Sequence, residues 1–192
     1  MVRISGGKLK GRNIPGSKEI IAQPGSNELR PTSSKVRESV FNILRDEIDE
    51  ASFLDLYAGT GAMGIEALSR GAVTVVFVEE NKVRSGKILD FIRRLGQEDR
   101  AMVFRETAES FLLRTAKAGR SFDIIFIDPP YASDETGKVV PLIAELGILK
   151  DGGSMLVEHS SRKLVPEEAD GIRKTRTYRY GDTTITLYRK VK

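Results

Sequence analysis

A chain of 192 residues holds one well-buried domain with room for a small appendage. Its lack of cysteine excludes a disulfide framework and thiolate metal sites, and a single histidine argues against an imidazole-based one, so no metal is expected. The net charge of +4 is unevenly spread: residues 1–40 carry eight Lys/Arg against three Asp/Glu, residues 162–192 nine against four, and the middle 14 against 20. Basic ends around an acidic centre point to a polyanionic partner. No apolar run approaches the roughly 18 residues that span a membrane, and "MVRISGGKLKGRN" lacks a signal-peptide core, so a cytoplasmic protein is expected.

In chain order, "VRISGGKLKGRNI" reads as a small β-hairpin about Gly6-Gly7 carrying Lys8, Lys10 and Arg12. A Pro/Gly-containing loop ends in "RPTSS", where Thr32 or Ser33 can cap a helix burying Val36, Val40, Leu44 and Ile48. From residue 52, strands and helices alternate: "FLDLY", "AMGIEALSR", "AVTVVFVE", a helix capped by Asn81 and closed by Gly96, "AMVFRE", "ESFLLRTAKA" and "FDIIFI". A Pro141-containing helix then leads through the turn Asp151-Gly152-Gly153 to the strand "SMLVEH". Near-continuous apolar strands between helices imply a parallel sheet covered on both faces. The tail "TRTYRYGDTTITLYRK" alternates about Gly181-Asp182 and reads as an antiparallel edge hairpin. The division expected is an N-terminal β-hairpin extension and linker over 1–32 that contacts the polyanionic partner, and an α/β domain over 33–192.

The stretch "DLYAGTGAMG" leaves the first of these strands, and Gly59, Gly61 and Gly64 spell G-x-G-x-x-G, with Glu79 lying 20 residues after Gly59. That pattern fits a dinucleotide site, or simply a tight strand-to-helix turn. Asp55 shifts the balance. A carboxylate about 4 Å from a diphosphate oxygen would cost roughly 4 kcal/mol per charge pair at an effective dielectric near 20. Neither Lys nor Arg occurs from residue 55 to 69 to offset it, and the P-loop lysine is missing. The same charge attracts a cation, which favours S-adenosylmethionine, a sulfonium without phosphate, over NAD. Asp55, Tyr57, Gly59, Thr60, Gly61, Glu79 and Glu80 are the cofactor candidates, with Glu79 accepting from both ribose hydroxyls.

"FDIIFIDPPY" sets Asp128, Pro129, Pro130 and Tyr131 at the carboxyl end of the fourth strand. Successive prolines hold a rigid turn. The Asp128 carboxylate and the Pro129 carbonyl can then grip the N–H bonds of an aromatic amine, and Tyr131 can stack a base turned out of its helix. Taken alone, the turn is as readily a strand terminator. His159 reads as a hydrogen-bonded structural residue.

"RPTSSKVRESVFNIL", "DLYAGTGAMGIEALSRGA" and "FIDPPY", in that order, resemble the RsmD family, and "ISGGKLKGR" and "YGDTTITLYRK" extend the resemblance over nearly the whole chain. The resemblance implies an α/β, Rossmann-like class I methyltransferase. Its sheet would have seven mostly parallel strands, with an antiparallel C-terminal edge hairpin and a small N-terminal β-hairpin/helix extension. It implies methyl transfer from S-adenosylmethionine to guanine N2 in bacterial small-subunit ribosomal RNA. With few residues outside the catalytic domain, a small-subunit particle is the expected substrate, and with no extended apolar patch or heptad in the sequence a monomer is expected. The resemblance turns Arg30 and Arg37 towards RNA, beside Lys8, Lys10 and Arg12. Two departures from the family pattern stand out. Ser33-Ser34-Lys35 replace Thr-Asp-Arg, and Glu106-Thr107-Ala108 stand where an aspartate near the adenine is usual, so Thr107 and Ala108 are the adenine candidates. Competing readings are an amino-methyltransferase for DNA adenine or cytosine or for protein glutamine, an NAD-dependent oxidoreductase, and a silent RNA-binding protein.

Overall fold

Valine, isoleucine and phenylalanine dominate four short runs that pair in parallel as the centre of one sheet. The computed structural model describes residues 2–14, 33–130 and 134–191. Its strands are β1 (Val2–Arg3), β2 (Asn13–Ile14), β3 (Ser52–Asp55), β4 (Thr74–Val78), β5 (Ala101–Phe104), β6 (Phe122–Ile127), β7 (Leu149–Ser160), β8 (Glu168–Ala169), β9 (Ile172–Tyr180) and β10 (Thr183–Lys190). The helices are α1 (Ser34–Ile43), α2 (Ala62–Ser69), α3 (Lys82–Leu95), α4 (Ala108–Lys117) and α5 (Glu135–Glu145). The main sheet runs β5-β4-β3-β6-β7-β10-β9-β8. Strands β3 to β7 are mutually parallel, and β10, β9 and β8 continue the sheet antiparallel. The seven anticipated strands are all present, and the two-residue β8 adds an eighth at the edge.

Alternation along the strands builds two cores. Phe53, Val75, Phe77, Ile124, Phe126 and Leu156 face α1, α2 and α3. Leu54, Val76, Ile125, Ile127, Met155 and Val157 face α4 and α5. A sheet buried on both faces has no polar side to tolerate, hence the unbroken apolar runs. Ser33 caps α1 by accepting from the Val36 amide, and the Asn81 side chain accepts from Val83 and Arg84 at the start of α3.

Three local readings need correction. The helix α1 stops at Ile43, and Ile48 reaches the core from the following turn rather than from a fourth helical turn. Asp151-Gly152-Gly153 lie inside β7, where the register against β6 shifts between Phe122 and Ile124. An irregularity within a strand carries the same residue types as a turn. Finally, Gly6-Gly7 are not the tip of a tight hairpin. The strands β1 and β2 pair over two residues only, and Gly6-Gly7 instead dock against the end of α2. A Cβ on Gly7 would lie 1.8 Å from the Ser69 carbonyl oxygen, so the contact requires glycine.

That docking is specific. Glu66, 1% exposed, accepts from the Ser5 amide at 2.9 Å, the Ser5 hydroxyl at 2.7 Å and the Gly6 amide at 2.8 Å. Ser69 donates to the Gly6 carbonyl, and its own backbone oxygen accepts from the Lys8 amide. Ile4 and Ile14 enter the same core as α1 to α3, so the described part of 1–32 shares that core.

Candidate active site

The parallel strands deliver their carboxyl ends to one edge of the sheet. The connections proceed outward from β3 to β4 and β5, then return to β6 on the other side, so the strand order reverses between β3 and β6. A crevice opens at such a reversal in open α/β sheets. The loop Leu56–Gly61 and the turn Asp128–Pro130 leave the two strands that flank it.

The glycine loop is held from several directions. Its Leu56 amide donates to the Phe126 carbonyl and its Ala58 amide to that of Val78, so the loop extends the sheet before turning. Gly61 turns the chain into α2 at φ 76°. A Cβ on Gly64 would sit 2.2 Å from the Phe77 ring, so the third glycine of the motif allows α2 to lie against β4. Asp55 is 1% exposed, and one carboxylate oxygen accepts from the Gly64 amide at 2.9 Å. Burial pushes its pKa up to about 7, the Gly64 bond pulls down against this, and the nearby Glu79 charge adds to the rise. Asp55 therefore positions the loop from below. The sequence reading expects this carboxylate in the cofactor site, and the structure places it inside the protein, bonded to the loop.

Glu79 follows β4 and is 5% exposed. One oxygen accepts from the Gly59 amide at 2.8 Å, and the other from the Asn81 amide at 2.8 Å and from Arg84 Nη2 at 2.7 Å. A carboxylate offers about four lone-pair positions. With three engaged, one remains, so Glu79 accepts from both ribose hydroxyls only if Arg84 withdraws. Sequence reading missed Arg84. The signal was available, since capping by Asn81 places residue 84 in the first turn of α3, beside the end of β4.

Tyr57 donates to Glu135 at 2.9 Å and ties the glycine loop to the first turn of α5. Burial, then that bond and the charges of Glu135 and Glu80, raise the phenol strongly, so it stays a donor. Glu135 was also missed, because it lies 78 residues away in sequence. Glu80 is exposed, and Thr60 is half-buried. Thr107 caps α4 by accepting from the Ser110 amide at 3.3 Å, while Ala108 packs in the α4–α5 core. At the other wall Asp128 is half-buried, Pro129 buried and Pro130 exposed. Tyr131 and Arg30 lie outside the described residues.

The RNA candidates separate. Lys8, Lys10 and Arg12 are exposed on the N-terminal hairpin. Arg37 is not a surface cation. It is 2% exposed, donates to the Arg3 carbonyl at 2.7 Å and pairs with Glu66 at 3.5 Å. Its place one turn into α1 points it inward, against α2, so the expectation that it contacts RNA is corrected. His159 Nδ1 donates to the Ser160 carbonyl at 2.9 Å, and its Nε2 shares a hydrogen bond with Thr186 Oγ1 at 2.8 Å. Burial lowers its pKa, which suits a neutral structural imidazole.

Residues 2–189 match the family described as Conserved hypothetical protein 95. The chain is similar to the protein YlbH of Bacillus subtilis (strain 168), 34% identical over 98% of this chain and 99% of that one. It is equally similar, at 34% over 86% of this chain and 78% of the relative, to ribosomal RNA small subunit methyltransferase D of Escherichia coli (strain K12). The solved structure of the Escherichia coli protein yhhF superposes with a TM-score of 0.82 at 31% identity, covering 99% and 98% of the two chains.

Proposed function

Because the chain belongs to the RsmD family, matched as Conserved hypothetical protein 95, we propose that it methylates the exocyclic N2 amine of a guanine in bacterial small-subunit ribosomal RNA. The observation that carries the reading is the pairing of a glycine loop and an Asp-Pro-Pro turn across the crevice where the strand order reverses. A relative named ribosomal RNA small subunit methyltransferase D supports the substrate class. The cytoplasm, where ribosomal RNA is assembled in bacteria, is the location that follows.

The residues present fit S-adenosylmethionine. Glu79, Glu80, Asp128 and Glu135 gather carboxylates along the same edge, against the guanidinium of Arg84, which favours a cationic ligand over a diphosphate. When bound, the cofactor supplies an electrophilic methyl group on a sulfonium. Glu79 would hold the ribose and the Thr107–Ala108 corner would border the adenine, while Asp55 keeps the Gly59–Gly64 backbone in register. Asp128 and the Pro129 carbonyl accept the two N–H bonds of the guanine amine, which concentrates the nitrogen lone pair towards the crevice. As the methyl passes from the sulfonium to the nitrogen, S-adenosylhomocysteine would be the leaving group and one amine proton would pass to Asp128 or to water. Tyr131 stacks the extruded base, and Lys8, Lys10 and Arg12 position RNA through phosphates. The enzyme works as a monomer on RNA within a small-subunit particle.

The test mixes the enzyme with tritiated-methyl S-adenosylmethionine and small-subunit particles from a strain lacking it, followed by digestion to nucleosides. Label in N2-methylguanosine is the expected result. Label confined to another nucleoside, or none despite cofactor binding, overturns the guanine-N2 reading.

A further inference from the structure

The helical cover on the α1 side of the sheet leaves a groove along the antiparallel edge. It measures about 610 Å³ and is lined by Ser39 and Asn42 of α1 and by Arg176, Tyr178, Tyr180 and Arg189 of the β9–β10 hairpin. Strand pairing explains why these side chains meet. Arg176 sits opposite Leu187, Tyr178 opposite Ile185 and Tyr180 opposite Thr183, so the three share one face. The two tyrosines are half-buried against the α1–α3 core, which holds their rings in place, while Arg176 is exposed.

Charge selects the occupant. Strand β9 reads "IRKTRTYRY", four basic residues and two tyrosines without an acid. Most of the nearby cations are already engaged. Arg189 is held by Glu47 at 2.6 Å, Arg173 pairs with Glu168, Lys174 with Glu167, and Arg179 donates to the Gly181 carbonyl. The Arg176 guanidinium makes neither a hydrogen bond nor an ion pair with the described residues. An uncommitted guanidinium flanked by fixed aromatic rings is what a single-stranded nucleic acid uses, with phosphate on the cation and bases on the rings.

Position gives the groove a direction. Thr183 lies opposite both Tyr180 and Ser160, the last residue of β7, so Tyr180 stands at the same edge of the sheet as Asp128. Three strand spacings separate β9 from β6, or about 14 Å. We propose that this groove seats a single-stranded segment of the RNA substrate, its bases on Tyr178 and Tyr180 and its phosphate on Arg176, leading a strand towards the crevice. The proposal rests on the RNA reading above and adds a binding surface to it, remote from the N-terminal hairpin.

The experiment measures fluorescence anisotropy of a labelled single-stranded RNA 12-mer with the full chain and its Arg176→Ala and Tyr180→Ala variants, across salt concentrations. Tyr180→Ala should weaken binding about five- to hundredfold. Arg176→Ala should reduce the slope of log affinity against log salt by about one. Binding of S-adenosylhomocysteine, read by calorimetry, should be unchanged in both. Arg176 is exposed, so its variant reports on RNA whether or not Tyr180 contributes to folding. Wild-type binding that neither variant alters overturns the groove while leaving the RNA reading intact. Failure of the wild-type chain to bind the 12-mer overturns the groove as well, and the methyl-transfer assay above decides the RNA reading separately.

Discussion

Two aspartates end neighbouring parallel strands and do different work. Asp55 pairs in register with Phe126, and Asp128 lies two residues beyond that, just past the end of β6. Only Asp55 is sealed under the loop that it supports, so its carboxyl titrates late. A group whose folded pKa is raised contributes stability that is present below its unfolded value, here 3.8, and lost as pH rises through about 7. Asparagine keeps an acceptor for the Gly64 amide and removes the ionisation. The Asp55→Asn variant should therefore gain on the wild type, by up to about 1.4 kcal/mol per pH unit, between pH 4 and 7. Denaturant unfolding at several pH values checks it, and a constant difference between the two proteins would remove burial of Asp55 as the cause. Asp128→Asn belongs to the chemistry instead. It should lower the single-turnover methylation rate roughly 10²–10³-fold while leaving cofactor affinity nearly unchanged, and an unaltered rate would take Asp128 out of the mechanism.

At the scale of the element, α2 explains how one short helix serves both loop and extension. All eight of its residues are buried. Gly64 faces the loop and β4, whereas Glu66, Ser69 and the adjoining Arg70 face the N-terminal hairpin. Glu66 is also the counter-charge for buried Arg37. Breaking a buried pair by removing one partner costs about 3–5 kcal/mol, because the other charge stays uncompensated. Glu66→Gln should cost that order of stability in urea unfolding and speed amide exchange at Ser5, Gly6, Lys8 and Leu9. Loss of stability without faster exchange there would separate Glu66 from hairpin docking. The "ISGG" stretch suggested a turn, since glycines and serine favour turns. The partner that uses those residue types lies some 60 positions downstream, and local pattern does not reveal it.

For the whole molecule, the basic ends of the chain come to bear on one sheet. The N-terminal hairpin docks on α2, and the C-terminal strands extend the sheet from β7. On the reading proposed above, the shape of the ribosomal particle supplies much of the target specificity. Protein-bound small-subunit particles should be methylated faster than naked transcript of the same RNA under identical conditions. Equal initial rates would mean that the chain recognises its site unaided.

The sequence by itself determined the strand–helix alternation, the caps at Ser33 and Asn81, the edge hairpin at Gly181-Asp182 and the loop and turn at the site. Each is a local consequence of periodicity or backbone preference, so a window of a dozen residues contains it. Only the tertiary structure decided that Asp55 is buried, that Arg37 is a core cation, that Arg84 occupies Glu79 and that Tyr57 reaches Glu135. A carboxylate or guanidinium has the same letter on the surface and in the core. Its charge state and reach depend on which distant strand or helix lies against it, and that is a property of the assembled sheet.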